Sequence, residues 1–436
     1  MRDVLITALV AGLLPVALFN PFVGVLLWTW LSVMNPHRLT WGFAYEFPFA
    51  QAAAIATIIS LFLAHKDIKF PFTPLTKTLI AFLLWMCVTM LFAIHFDLSV
   101  PAWSRVMKML LMTLVALAVV RSERQIKVFL WVLVMSVAFF GIKGGIFAVV
   151  TGGEARVYGP PSSQIADNNE VSVALLMMIP LLAFLQTGIK NTFLKIALLA
   201  AILLCGVSVV ASYSRGAFVG GCAMLLMLAI KSRRRVALLI VIAISGVVIL
   251  TSMPQQWWDR MDTITIENPD ESIQGRYNAW SMIWNLALDR PVYGGGFAIY
   301  EPDVFAMYAP KPLDLHSAHS IYFQILGEHG FVGLALFLLI ALLMWRTATK
   351  IVRASAAPEA HWRADLARAL QVSMVGFFVG GLTVNIAYWD VYYFELVLLV
   401  ALERLAHVEA LENRRAVASP PAMRRPQVRR SPTSSA

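Results

Sequence analysis

A histidine and two arginines stand out in the sequence because each adjoins an apolar segment. His319 is in the stretch DLHSAHSIYFQ, just before a long apolar run. Arg215 is in ASYSRGAFVGG, between two apolar runs with hardly any loop, and Arg276 follows Gly275 in GRYNAW. Histidine is the usual proton-transfer residue near neutral pH. Arginine offers a planar fork that can bind two phosphate oxygens at once. These residue types suit proton transfer beside a phosphate group, although each arginine could instead snorkel to lipid headgroups.

The sequence around His319 predicts that its imidazole is neutral. Ser317 can cap the helix that follows, and His319 would then lie in the first turn of that helix, at the outer membrane boundary. A helix N-terminus carries partial positive charge, and a nearby arginine would add more, so both disfavour an imidazolium. His319 would therefore be able to accept a proton. The alternative is a polar interface histidine without a catalytic role.

Five further residues of the same side are candidate substrate contacts, although long basic side chains of this kind also snorkel to headgroups. Arg156 lies in a loop whose glycines, prolines and asparagines specify tight turns, and Lys143 lies within an apolar run. His316 precedes His319 in the same loop, whereas His329, inside the following run, is more typical of a packing residue. The five candidates are Arg156, Lys143, His316, Arg105 and Lys108.

The elements that must position these residues are membrane-spanning helices. The chain has 436 residues, of which 59% are apolar and 14% charged, and a spanning helix needs about 20 mostly apolar residues. This composition excludes a soluble multidomain protein and a single-pass anchored enzyme. The first apolar run is divided by Asn20 and Pro21, so we expect 12 or 13 spans. The runs are 4–34, 50–64, 78–95, 105–120, 128–150, 171–187, 194–212, 216–230, 236–252, 321–345, 366–388 and 391–405.

Lysine and arginine predict the orientation of the chain, because these residues accumulate on the cytoplasmic side. Most of the 35 lysines and arginines, including the cluster KSRRR at 231–235 and the C-terminal tail, fall on one side when loops alternate. That side is predicted to be cytoplasmic, and the net charge of +10 then faces anionic inner-leaflet lipid. The charge therefore does not indicate nucleic acid as a partner.

The predicted organisation is an all-α, polytopic membrane protein with one large, mainly helical periplasmic loop. Residues 1–252 would form about nine transmembrane helices and residues 321–405 about three more. The loop, 253–320, would contain amphipathic helices, and 406–436 reads as a disordered, basic cytoplasmic tail.

Tryptophans and glycines indicate structure within the loop. Trp280, Trp284 and Leu288 form one helical stripe that would lie along the membrane surface. Trp257 and Trp258 suit the same interfacial belt. The glycines of YGGGFAIYEPD, at 293–303, mark a tight turn or a close approach of two backbones.

Several chemistries lack their usual sequence signals. We find no P-loop, GxGxxG, GxSxG, HExxH or CxxC pair, and the acidic residues form no compact Asp-x-Asp site. We therefore expect no metal and no cofactor. The three cysteines all lie in apolar runs, which is typical of small packing residues.

Four motifs in order resemble those of the O-antigen ligase family and its relative, the O-antigen polymerase. They are SYSRGA at 212–217, GRYNAW at 275–280, GGGFAIY at 294–300 and HSIYFQILGEHGFVG at 319–333. The block at 141–170 is similar to a narrower branch, the O-glycosylation ligases associated with exosortase systems.

The resemblance implies a glycosyltransferase of lipopolysaccharide biosynthesis in the bacterial inner membrane, with its active site facing the periplasm. The donor would be a preassembled polysaccharide on undecaprenyl pyrophosphate, and the acceptor a sugar hydroxyl of lipid A-core. The family implies inversion without metal or ATP. Arg215 and Arg276 would stabilise the charge that develops on the pyrophosphate, and His319 would be the general base. Membrane lipids would be the remaining partners.

Three alternatives stay open at this stage. An O-antigen polymerase and a protein O-glycosylation ligase would use the same chemistry with a different acceptor. A lipid-linked oligosaccharide transporter belongs to another class, and it would be expected to show paired repeats with interrupted helices. We see no such repeats in the sequence.

Overall fold

The computed structural model describes residues 1–64, 68–231, 251, 254–262, 271–355 and 360–418. These residues form fifteen α-helices and two short 3-10 helices, Pro36–Leu39 and Gly381–Thr383, and no strand occurs among them. The α-helices are α1 (Arg2–Phe19), α2 (Pro21–Val33), α3 (Phe49–Ala64), α4 (Pro74–Leu91), α5 (Phe96–Val119), α6 (Glu123–Val150), α7 (Asn168–Thr187), α8 (Thr192–Val210), α9 (Arg215–Lys231), α10 (Gln255–Asp262), α11 (Glu271–Asp289), α12 (Pro302–Tyr308), α13 (Ile321–Ala354), α14 (His361–Gly380) and α15 (Asp390–Ala418).

The helices confirm the predicted all-α class, and their lengths suit a polytopic membrane protein. Eight described helices are long and apolar enough to cross a membrane, and α2, α3 and α9 contain shorter apolar segments. Apart from residue 251, the predicted run 236–252 lies outside the described residues. α15 continues as a helix to Ala418, so residues 406–418 of the predicted tail are helical.

The first apolar run is two helices rather than one. Asn20 has an extended backbone between α1 and α2, and its side chain accepts a hydrogen bond from the Phe22 backbone N–H. Pro21 then occupies the first position of α2, where its missing N–H costs nothing. The pair therefore ends one helix and begins the next.

The main core lies around α7 and α15, and close helix contacts surround it. Tyr392, Tyr393 and Phe394 of α15 are fully buried. On the neighbouring side, α6 approaches α8 so closely that a Cβ at Gly145 would lie 2.2 Å from the Leu204 carbonyl oxygen. Cys205, on the same face of α8, is also fully buried, as expected for a packing cysteine.

The segment between α9 and α13 has a small core of its own. Met282, Ile283 and Leu286 of α11 are fully buried in it. The predicted stripe of Trp280, Trp284 and Leu288 lies on α11 beside this core, and Trp284 and Leu288 in it are exposed. This core holds α11 against α13 and the loop that precedes it.

Two tryptophans of this segment are held by the protein itself. Trp280 donates its indole N–H to the Ala318 carbonyl over 2.7 Å. Trp257, which the sequence suggests for an interfacial belt, is buried in the protein and donates its indole N–H to the Val210 carbonyl. Its polar atom is therefore satisfied at the C-terminal end of α8.

The glycine-rich turn is the close backbone approach that the sequence predicted. The N–H groups of Gly295 and Gly296 donate to the carbonyl oxygens of Gly327 and Glu328, over 2.8 and 3.0 Å. A kink in α13 makes those groups accessible, because Gly330 has φ 66° and ψ −172°, a region that is essentially restricted to glycine. A Cβ at Gly294 would lie only 2.5 Å from the Gly327 carbonyl oxygen.

Candidate active site

His319 lies just outside α13 rather than in its first turn. The helix begins after Ser320, whose backbone N–H donates to Asn385 Oδ1 over 3.0 Å. The predicted cap by Ser317 is therefore wrong. His319 has φ 43°, in the left-handed region, and this turn of the backbone separates its imidazole from the helix.

The nearest carboxylate to the imidazole comes from another helix. His319 Nδ1 lies 3.9 Å from Oε1 of Glu170, in the first turn of α7, and the His319 side chain is 32% exposed. Among the described residues, His319 Nδ1 and Glu170 Oε2 are buried without a hydrogen-bond partner. Buried polar atoms normally find partners, so the pair has hydrogen-bonding capacity that the fold itself does not use.

The imidazole of His319 is neutral near pH 7. Its pKa is lowered from 6.5 to about 4, first by burial and then by the positive charge of Arg276, with Asp167 opposing these effects. The neutral state agrees with the sequence prediction, and an arginine contributes to it as expected. The largest cause is burial rather than the helix terminus.

Arg276 reaches His319 because α11 is docked on the residues before α13. A Cβ at Gly275 would lie 2.5 Å from Cγ of His316, so the histidine ring packs where only a hydrogen fits. His316 Nδ1 in turn lies 2.8 Å from Asp314 Oδ1. We call His319, His316, Arg276, Glu170 and Asp167 the His319 cluster.

Arg215 is the first residue of α9, after a tight turn built from its own neighbours. Tyr213 has φ 59°, and the Ser214 hydroxyl accepts a hydrogen bond from the Ala217 N–H. The Tyr213 hydroxyl donates to the Gly153 carbonyl over 2.7 Å, which holds the turn against the loop after α6. Arg215 therefore begins α9 directly after a turn that hydrogen bonds hold in place.

Arg156 belongs to the same surroundings. Its guanidinium carbon lies 5.6 Å from the centre of the Tyr213 ring, within the range of a cation–π contact. The loop that carries Arg156 thus packs on the turn before Arg215.

Two contacts connect this turn to the His319 cluster. Asn168, two residues before Glu170, donates its side-chain N–H to the Ser212 carbonyl over 2.7 Å. On the other side, a Cβ at Gly216 would overlap Thr383, in the segment whose Asn385 accepts the hydrogen bond from Ser320. Arg215 and His319 consequently lie at the same end of the helix bundle.

Comparison with known protein families finds matches to two parts of the chain. Residues 199–338 match the family model described as O-antigen ligase. The chain carries a domain of the O-antigen ligase family. Residues 1–190 match a family of unknown function (DUF5935), and a comparison with curated proteins found no match. The narrower likeness to the exosortase-associated branch stays a prediction.

The His319 cluster joins the two matched parts of the chain. Arg215, Arg276 and His319 belong to the O-antigen ligase domain, whereas Glu170 and Arg156 come from the part of unknown function. The first part therefore supplies polar groups to the edge of the O-antigen ligase domain, in addition to helices for packing.

Three of the basic candidates lie away from the cluster. Lys143 is exposed on α6, and among the described residues no hydrogen bond, ion pair or ring contact joins it to the cluster. Arg105 and Lys108 line a separate cavity together with Arg38.

His329 of the O-antigen ligase domain is a packing residue, as its position predicted. It is fully buried, and its Nδ1 lies 2.7 Å from the Thr89 hydroxyl. Glu328 beside it accepts a hydrogen bond from the Tyr388 hydroxyl rather than pairing with a basic side chain. These groups stabilise the kink of α13 instead of facing a ligand.

Sequence reasoning missed Glu170 and Asp167. Asp167 caps α7 by accepting a hydrogen bond from the Asn169 N–H, and Glu170 follows in the first turn. The signal was present, because a carboxylate at the start of an apolar helix is costly at membrane depth and is a functional candidate for that reason.

Proposed function

We propose that the chain is a glycosyltransferase of the O-antigen ligase type, which transfers a preassembled polysaccharide from undecaprenyl pyrophosphate to a sugar hydroxyl. The neutral imidazole of His319, with Arg276 close enough to lower its pKa, carries the proposal. Histidine, arginine and carboxylate together match the needs of this transfer, and the O-antigen ligase domain supports the donor class.

The arginines would act on the leaving group. As the bond between the sugar and the pyrophosphate breaks, negative charge develops on the phosphate oxygens, and fixed guanidinium groups stabilise that charge. Arg276 is held by the docking of α11, and Arg215 by the turn before α9. Arg156, close to that turn, and His316, close to Arg276, are further candidate contacts.

His319 would act on the acceptor. The acceptor oxygen attacks the anomeric carbon, its proton passes to the imidazole, and undecaprenyl pyrophosphate departs with the electron pair of the broken bond. Because Nδ1 faces Glu170, Nε2 is the nitrogen available to take the proton. Attack opposite the leaving group gives inversion, and the activated donor bond makes ATP unnecessary.

A pKa of about 4 ensures a free base but a weak one. The incoming pyrophosphate brings negative charge next to His319, and nearby negative charge raises the pKa of an imidazole. Substrate binding would therefore bring the base closer to the working pH, where general bases are most effective.

The proposed location is the bacterial inner membrane, with the His319 end of the bundle at the periplasmic face and the C-terminus in the cytoplasm. The distribution of lysine and arginine supports this orientation. A lipid carrier embedded in the bilayer could then reach the site from between the helices, while its glycan extends into the periplasm.

The acceptor is the part of the proposal that an experiment must decide. Lipid A-core is the acceptor we propose, and a second carrier-linked glycan or a protein would make the enzyme a polymerase or an O-glycosylation ligase. The test supplies the purified full chain with one carrier-linked glycan donor and, separately, lipid A-core, polymerisable glycan or peptide. Transfer to lipid A-core alone supports our proposal, whereas transfer to none of the three contradicts it.

A further inference from the structure

A second polar site lies at the same end of the bundle as His319. It is a cavity of about 810 Å³ between α2, α5 and the loop before α7. Its basic lining residues are Arg38, Arg105 and Lys108, and Asp390 at the start of α15 also borders it. Ligand pockets typically have volumes of about 300–1,000 Å³, so the cavity suits a ligand larger than a single phosphate.

Two of the cations in this cavity are available to a ligand. Arg38 is already engaged, because its Nη1 lies 2.9 Å from Glu46 Oε1 and its guanidinium stacks on the Tyr45 ring. Arg105 and Lys108, one turn apart on α5, have no hydrogen bond or ion pair within the described parts of the chain. The cavity therefore offers two positive charges that the fold does not use.

Uncharged polar groups complete the lining. Ser162, Ser163 and Gln164 border the cavity from the loop before α7. The Ser163 hydroxyl already donates to the Pro160 carbonyl, and the Ser162 hydroxyl lies 3.2 Å from the Tyr45 hydroxyl. Each hydroxyl oxygen nevertheless has two lone pairs and can accept a further hydrogen bond, and the Gln164 amide both donates and accepts. Trp28 also lines the cavity, is only 7% exposed, and its indole N–H has no acceptor among the described residues. Hydroxyl, amide and indole groups beside cations match a saccharide that bears negative charge.

The loop before α7 places this cavity next to the His319 cluster. Ile165 lines the cavity, and Asp167, two residues later, acts electrostatically on His319. Two residues of extended chain span at most about 7 Å. The loop before α7 therefore borders the cavity at Ile165 and the His319 cluster at Asp167.

We infer that this cavity binds an acidic sugar unit, one with a carboxylate or phosphate group, next to the reacting sugar. The inference rests on the proposed function, because that function makes a glycan the substrate. Arg105 and Lys108 bind the anionic group, the serines and Gln164 bind sugar hydroxyls, and the pyrophosphate stays with Arg215 and Arg276. The sugar belongs either to the donor or to the acceptor.

The first experiment measures binding to the full-length protein by calorimetry. The probes are a tetrasaccharide containing glucuronic acid and the same tetrasaccharide with its carboxyl groups reduced. We expect the acidic form to bind more tightly and Arg105→Gln or Lys108→Gln to weaken its binding by about 10- to 100-fold, because a charged hydrogen bond is lost. Lys311→Gln, an equal loss of charge at an exposed loop residue, is the matched control and should bind normally.

The outcomes separate this inference from the proposed function. Equal binding of both tetrasaccharides, or unchanged binding by the two cavity variants, would overturn the inference. Loss of sugar binding in the presence of phosphatidylglycerol vesicles, but not phosphatidylcholine vesicles, would do so as well, because it would assign the cavity to lipid. His319→Ala should bind the acidic sugar normally, because His319 is not part of the cavity. If the wild type binds the acidic sugar in a charge-dependent manner but transfers no glycan, the proposed function is contradicted and the inference about the cavity is not.

Transfer assays then identify the source of the sugar. An acidic donor is paired with a neutral acceptor, and a neutral donor with an acidic acceptor. Lys108→Gln should raise the KM of the acidic partner by about tenfold or more while kcat is retained. If the KM of the acidic donor rises, the cavity binds the donor, and if the KM of the acidic acceptor rises, it binds the acceptor. No rise in either KM contradicts the inference.

Discussion

The O-antigen ligase domain contains two histidines at the same distance from a carboxylate, in very different surroundings. His319 Nδ1 lies 3.9 Å from Glu170 Oε1, and His329 Nε2 lies 3.9 Å from Glu328 Oε2. The His319 side chain is 32% exposed and the His329 side chain 0%. Distance to an acid therefore does not distinguish a candidate base from a packing residue.

The neighbours of the two rings do distinguish them. The His329 ring packs against the rings of Phe82, Phe297 and Tyr388, which exclude any substrate. Arg276 acts on His319, whose imidazole is open to a ligand. Access and a neighbouring cation, rather than residue type, set the two histidines apart.

The largest expected effect separates the two histidines directly. His319→Ala should reduce glycan transfer by about 10²–10⁴-fold, the usual contribution of a general base, at normal protein abundance. His329→Ala should instead lower thermal stability, because it leaves a cavity among aromatic rings, while activity per folded molecule stays close to wild type. Transfer assays and thermal unfolding of both variants check this, and unchanged transfer by His319→Ala would reject the base assignment.

The next effect tests the arginine geometry. Arg215→Lys should reduce transfer by about 100-fold, because an ammonium group keeps the charge but cannot bind two phosphate oxygens in the manner of a guanidinium. Arg346→Lys, the same change in the distal half of α13, serves as the control. Full activity of Arg215→Lys would show that charge alone matters at this position.

A smaller effect compares the two carboxylates. Glu170→Gln should reduce kcat by about tenfold, because the carboxyl group that faces His319 Nδ1, and can accept a hydrogen bond from the imidazolium that forms, is replaced by an amide. Glu328→Gln should leave kcat nearly unchanged, because an amide oxygen can still accept the Tyr388 hydrogen bond. Equal losses in the two variants would mean that both acids only support the fold.

The smallest effect is a shift in pH dependence. Because the pKa of His319 is lowered, its neutral form persists as the pH falls, and kcat/KM should stay high until the pH approaches about 4. Arg276→Gln removes one cause of the lowered pKa, so the acid limb of kcat/KM, normalised to its maximum, should move to higher pH. If the acid limb of the wild-type kcat/KM profile lay near pH 6.5, the burial of His319 would be contradicted.

Apolar runs predicted most of the fold, because each spanning helix needs a long apolar segment and breaks such as Asn20–Pro21 carry their own signals. Arg215, Arg276 and His319 were predictable as individual residues. The contact of His319 with Glu170 was not, since the two are distant in the chain and are brought together only by the folding of the whole bundle. Ser317 is not the cap of α13, because His319 has a left-handed backbone and the helix begins only after Ser320.

The cavity was beyond sequence reasoning for the same reason. Arg105 and Lys108 were identified singly, but Arg38 and the loop at 162–165 reach them only in the folded chain. The partner of Trp257 was also beyond sequence reasoning, because a carbonyl of α8, distant in the chain, accepts its indole N–H.

The bonds between the glycine-rich turn and the kink of α13 have a consequence for how this protein can diversify. They run from main-chain nitrogen to main-chain oxygen, so a side-chain change at Phe331 leaves the donors and acceptors in place. An added Cβ at Gly294 or Gly330 would instead press against a facing carbonyl, and one at Gly327 would press against the Ile299 side chain. Exposed side chains beside this contact, such as Phe331, can therefore change while the glycine-rich turn stays joined to the kinked helix.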